Sequence, residues 1–260
     1  MSDFVDYTEV PYLQEILNYL PIDPTDGEDL INYIKNITNL VAINYKYDQY
    51  QFAYFGIHLL YMTYIYCTAW KVSQIESARY KDAIVFARAY NGRESDLKIE
   101  EANSIFVYSL MPEKDIARLF RIIGLDKSHI SVVSSLVDAR NEMAHASGKF
   151  EILTDVIFDA KVRSIINSIN NIHLCVTLLI RKWYKQVLIN FCTGKYEEYD
   201  NPDDIILEQM IQSFKLSTRE LLVCNEMSVR TLIAEHREYQ GKLMSFKRAM
   251  RQYCAERCFI

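Results

Sequence analysis

The sequence predicts an all-α protein, and three observations carry that expectation. Only 7 Gly and 5 Pro punctuate 260 residues, too few turn-formers for a sandwich of short strands. Half of the chain is hydrophobic, with 19 Tyr and 12 Phe, enough to bury a sizeable core. Apolar residues also recur at helical spacing through most of the longer segments.

The first thirty residues contain Asp3, Asp6, Glu9, Glu15, Asp23, Asp26, Glu28 and Asp29 and no basic residue, with Pro11, Pro21 and Pro24 among them. A short helix is expected from about Pro11 to Tyr19, then a turn at Pro24–Gly27. Leu30, Tyr33, Ile34, Ile37, Leu40 and Val41 predict a helix over Asp29–Tyr45. No charge lies between Asp48 and Lys71, a span long enough to cross a bilayer. Tyr50, Tyr54, Tyr61, Tyr64 and Tyr66 with Gln49 and His58 match hydrocarbon poorly, so a central buried helix is expected. Its tyrosines then reach polar partners or a subunit interface.

A helix near Ser77–Tyr90 should end at the Asn91–Gly92 turn. Ile105–Leu110 is apolar enough for a strand, although no other clean strand accompanies it. Pro112 suits the first turn of a helix over Glu113–Ile123, and Gly124 suits its end. Ser128–Gly148 reads as one helix with Ser128 or Asp126 as cap. Phe150–Phe158 reads as a connection or hairpin edge, and Asp159–Phe191 as the longest helix. A boundary is expected at 193–203, followed by one helix from Asp203 to about Cys224 and a last one capped by Ser228. Three regions result: an acidic N-terminal helical extension at 1–47, a helical core at 48–192, and a C-terminal helical extension at 203–260.

The net charge of −5 restricts any nucleic-acid contact to local basic patches. Six scattered cysteines and no secretory leader suit intracellular thiols and a cytoplasmic chain outside the membrane. Cys254 and Cys258 share a helix face, but no second close pair or nearby histidine completes a zinc pattern. Neither a metal nor another cofactor is expected.

The helix at 128–148 has an apolar arc through Ile130, Val132, Val133, Leu136, Val137, Ala139, Met143 and Ala144. Arg140 projects into its middle, where a lone cation is costly and needs a carboxylate, a phosphate or an intersubunit groove. Asp82, Glu101 or an N-terminal acid are the carboxylates considered for it. His145 lies roughly 140° around the helix and about 7.5 Å further along it, close enough for both side chains to converge on one ligand. Asn141, one turn before His145, can orient the ring. Taken alone, His145 also suits a solvent-facing helix end.

Arg140-Asn141-Glu142-Met143-Ala144-His145 resembles the R-x4-H signature of the HEPN superfamily, the higher eukaryote and prokaryote nucleotide-binding domains. Asn141 matches the polar residue the family often places after the arginine. The resemblance implies a HEPN-like helical bundle with N-terminal and C-terminal helical additions. It implies a metal-independent endoribonuclease of prokaryotic defence or a toxin system, acting on single-stranded or structured RNA, tRNA included. Arg140 and His145 are then catalytic, Asn141 supports them, and a homodimer joins two motifs in one cleft. An antitoxin or defence-system regulator is the implied further partner. The family's other members imply the alternative, a noncatalytic nucleotide-binding or protein-interaction module. Ala146–Ser147 departs from the H-x-Y continuation of variants paired with a minimal nucleotidyltransferase antitoxin. Arg118, Arg121, Lys149, Arg181, Lys182 and Lys185 are candidates for RNA phosphates, with Lys242, Lys247, Arg248 and Arg251 in the tail. For each, a solvated helix face is the other reading.

Overall fold

The computed structural model describes residues 8–22, 29–84, 104–144, 152–196, 198–199 and 201–257. Among these the architecture is all-α, and the only extended pairing is an isolated bridge between Pro21 and Ser217. The helices are α1 Leu13–Leu17, α2 Asp29–Lys46, α3 Tyr50–Ile75, α4 Ser77–Ile84, α5 Glu113–Arg118 and α6 Lys127–Ala144. They continue with α7 Asp155–Cys192, α8 Pro202–Asp204, α9 Thr218–Glu226, α10 Arg230–Glu235 and α11 Gln240–Arg257. The chain forms two compact units, 1–17 with 27–175 and 18–26 with 176–260, so the division falls inside α7. The boundaries read at 47/48 and 192/203 mark changes of composition; α2 itself packs along α3 in the first unit.

The first unit is built around α3. With apolar side chains on every face, α3 can be stable only when surrounded, and nearly all residues from Ala53 to Val72 are buried. Its tyrosines find internal partners: Tyr61 and Ser168 share a 2.8 Å hydrogen bond, and the Tyr64 hydroxyl donates to the Ile169 carbonyl at 3.4 Å. Burial pushes the Tyr54 hydroxyl up to about 12. α2 comes so close that a Cβ on Gly56 would lie 2.6 Å from Val41 Cγ2 and 2.9 Å from Leu40 Cδ2. A larger residue there would force Val41 and Leu40 to shift. No helix among the described residues is long and apolar enough to cross a membrane.

Two expectations need correction here. Ile105–Leu110 is a 3₁₀ helix, not a strand; Ser104 accepts from the Phe106 amide, and Ile105 and Tyr108 bury their side chains three residues apart. That spacing is the 3₁₀ repeat. The segment after Pro112 changes register, with α5 followed by a 3₁₀ helix at Leu119–Ile123, and Gly124 ends it at φ 89°. The turns expected at Pro24–Gly27 and Asn91–Gly92 lie outside the described residues.

In the second unit the single helix expected from Asp203 to Cys224 is divided. Ile205–Ser213 is π-helical, with Ile205, Ile206, Met210 and Ile211 buried. Apolar pairs five residues apart suit its i→i+5 ladder. Lys215 then takes φ 55°, and α9 restarts with a capping box in which Ser217 and Glu220 satisfy each other's backbone amides. Trp183 stacks on Phe214 with ring centroids 3.9 Å apart. Ser228 accepts from the Arg230 amide as expected, but the last helix breaks at His236 before α11 begins.

Candidate functional site

α6 begins where Asp126 accepts from the His129 amide at 2.9 Å and from the Ser128 hydroxyl at 2.7 Å. The His129 amide and Ser128 hydroxyl hold the Asp126 carboxyl down at about 2. Val133, Leu136 and Val137 are buried, whereas Val132 is 42% exposed, so the apolar arc is narrower than its sequence suggests.

At the C-terminal end of α6 the Arg140 side chain is only 19% exposed, and its Nη2 donates to Glu113 Oε2. The carboxylate it finds is thus Glu113; Asp82 is solvent-exposed on α4, and Glu101 lies outside the described residues. Glu113 is the first residue of α5, directly after Pro112, where a carboxylate also favours the helix dipole. α5 and α6 are joined a second time by the ion pair between Lys114 and Asp138.

His58 of α3 completes the cluster. It is fully buried, and its Nε2 lies 4.0 Å from the same Glu113 oxygen, beyond direct hydrogen-bond distance. Among the described residues neither ring nitrogen has a hydrogen-bond partner, and the buried Nε of Arg140 has none either. Burial lowers the His58 pKa and Arg140 adds to that, while Glu113 opposes it. For Glu113, burial pushes the pKa up, but His58 and Arg140 outweigh it and hold the carboxyl below its ordinary value. The result is a neutral imidazole beside an ionised carboxylate that is shared with a guanidinium.

Acidification should therefore weaken the fold. Unfolded His58 takes up a proton near its ordinary 6.5 that the folded site resists, so its contribution is present above that value and lost as pH falls. Glu113 acts in the same direction below 4.5, its ordinary value. Urea unfolding should show a lower midpoint at pH 5.5 than at pH 7.5, and His58→Leu should reduce the difference. An equal difference in His58→Leu would remove His58 as its source.

Asn141 is partly exposed on α6, while His145 and Lys149 lie outside the described residues. In the first unit Arg118 pairs with Asp115 at 2.7 Å, and Arg121 donates to the Leu125 carbonyl at 2.9 Å. In the second unit Arg181, Lys182 and Lys185 are exposed on α7, and Lys185 pairs with Glu235 at 3.5 Å.

The tail lysines have structural work. Lys242 donates to the Cys192 carbonyl at 3.1 Å. Lys247 is buried and donates to the Asn225 and Met227 carbonyls, the second at 3.0 Å, so it caps the end of α9 instead of facing a phosphate. Lys242 also lines a cleft of about 500 Å³ in the second unit with Phe191, Tyr196, Tyr199 and Ser245. Tyr199 there donates to Glu208 at 2.9 Å. Among the described residues no disulfide forms, and no group of His, Cys, Asp or Glu is placed to hold a metal ion.

Sequence reasoning missed Glu113 and His58. A signal existed for each: an imidazole inside an uncharged buried helix needs a polar neighbour, and Pro112-Glu113 marks a helix start that fixes a carboxylate. The fold and the site define an all-α protein with a half-buried arginine–carboxylate pair backed by a buried histidine. Comparison with protein-family models, with curated proteins and with solved structures finds no match.

Proposed function

We propose that the chain is a metal-independent endoribonuclease that cleaves single-stranded or structured RNA, tRNA among its substrates, in prokaryotic defence or a toxin system. The supporting observation is Arg140, a half-buried cation held at one nitrogen by Glu113 and five residues before His145 in an R-x4-H segment. That pattern resembles the HEPN signature and suits the chemistry. A 2′-hydroxyl gives up its proton and attacks phosphorus, the bond to the 5′-oxygen breaks, and that oxygen takes a proton. Arg140 stabilises charge on the phosphorane, and His145 transfers protons near neutral pH. Asn141 supports the ring. One histidine serves both the entering and the leaving oxygen poorly, so a homodimer contributes a second His145.

Exposed ion pairs such as Arg118–Asp115 and Lys185–Glu235 are weak, so these cations exchange readily onto phosphates. An antitoxin or a defence-system regulator remains the proposed protein partner. One observation favours a second reading. The Glu113 carboxylate already compensates the Arg140 charge, which suits a noncatalytic HEPN-like nucleotide-binding or protein-interaction module.

The test is cleavage of single-stranded and loop RNA by the purified chain in EDTA. Products should carry a 2′,3′-cyclic phosphate and a 5′-hydroxyl, and a 2′-O-methyl at the scissile nucleotide should block the reaction. Cleavage that EDTA abolishes, or that the 2′-O-methyl leaves intact, would overturn the mechanism. Nucleotide binding by calorimetry without any cleavage would favour the second reading.

A further inference from the structure

We propose that Glu113, backed by His58, is the positioning residue that sets the Arg140 guanidinium for catalysis, an inference that rests on the ribonuclease reading. An arginine side chain has many rotamers, and a transition-state contact requires one of them. Glu113 supplies the constraint from a fixed point. It opens α5 immediately after Pro112, whose φ is −56°, and α5 packs directly on α6.

The contact uses one arginine nitrogen, Nη2, and one carboxylate oxygen. A purely structural arginine–carboxylate pair gains most from two parallel bonds. Here the Nε donor is buried and has no partner among the described residues. The pair thus fixes the direction of the fork without using the donors that a bidentate pair would consume.

His58 carries the second half of the inference. A leucine would fill a site in α3 that is completely buried without desolvation cost. The imidazole instead puts Nε2 4.0 Å from the Glu113 oxygen bonded to Arg140. At that separation the imidazole dipole acts on the carboxylate without a direct hydrogen bond. The charged groups acting on His58 are Glu113 from α5 and Arg140 from α6, and on its own helix the Tyr61 ring lies 5.9 Å away. A neutral His58 steadies the carboxylate without drawing it away from the arginine. An imidazolium would compete for it.

A residue acting through Arg140 on transition-state charge should change kcat and leave KM nearly alone. In the full chain, Glu113→Gln should lower kcat about 10-fold or more with KM within about twofold. Glu113→Asp, which keeps the charge, should recover part of that loss. His58→Gln should lower kcat several-fold in the same pattern. Circular dichroism and thermal midpoints establish that each variant is folded.

Wild-type kcat in both Glu113 variants, with His145→Ala inactive, would overturn the inference and leave the ribonuclease reading in place. A fall expressed only in KM would overturn it in the same way. No cleavage by the wild-type chain, or full activity of His145→Ala, would overturn the ribonuclease reading and this inference with it. If Glu113→Gln fails to fold, Glu113→Asp decides: lower kcat at unchanged KM supports the inference, and wild-type kcat refutes it.

Discussion

Replacing His145 by alanine is expected to lower RNA cleavage by about 10²–10⁴-fold, the usual contribution of a positioned proton-transfer group. The substrate chemistry sets that size. The 2′-hydroxyl is a weak nucleophile until its proton leaves, and the 5′-oxygen is a poor leaving group until one arrives. An imidazole is the side chain whose ordinary pKa serves both needs near neutral pH. Light scattering and circular dichroism should match wild type while cyclic-phosphate product disappears. Mixed dimers carrying one altered copy should fall well below half of wild-type activity, because each cleft needs both histidines. A His145→Ala protein that cleaves at the wild-type rate would take this histidine out of the chemistry and point to another site or a copurifying nuclease.

How much of this was legible in the sequence depends on how local each feature is. α2, α3 and α7 could be read because their patterns are long and uninterrupted. α3 was recognisable as buried because its tyrosines exclude lipid and its lack of charge excludes water. The break between Ile205 and Thr218 does not show in a 3.6-residue period; its marks are apolar pairs five apart and the Ser217–Glu220 box. Arg140 stood out as a cation in an apolar arc that had to find a counter-charge. Its partner was not legible, because Glu113 is 27 residues away on another helix and only tertiary packing brings them together. His58 was hidden for the same reason. Lys247 shows the converse. Its sequence neighbours suggested a basic surface, but its side chain turns inward to the carbonyls that end α9.

Arg140→Ala should destabilise the first unit by about 2–4 kcal/mol. The figure lies toward the low side of fully buried pairs because the Arg140 and Glu113 side chains are still 19% and 16% exposed. The cost comes from what remains. Glu113 would keep its charge in a half-buried position, with only a neutral His58 beside it. Its carboxyl pKa should then rise, since burial already pushes it upward and Arg140 is one of the two groups that oppose burial. Stability lost in Arg140→Ala should thus be partly regained as pH falls through that raised value, the reverse of the wild-type trend. Adding Glu113→Gln to Arg140→Ala should likewise restore part of the loss, since the amide needs no counter-ion. Arg140→Lys should keep most of the stability through its charge but lose most of the cleavage, since an ammonium lacks the planar fork. Urea unfolding of the four proteins of the cycle measures the coupling directly. A double variant as unstable as the sum of its two single changes would show that Glu113 and Arg140 do not act as a pair.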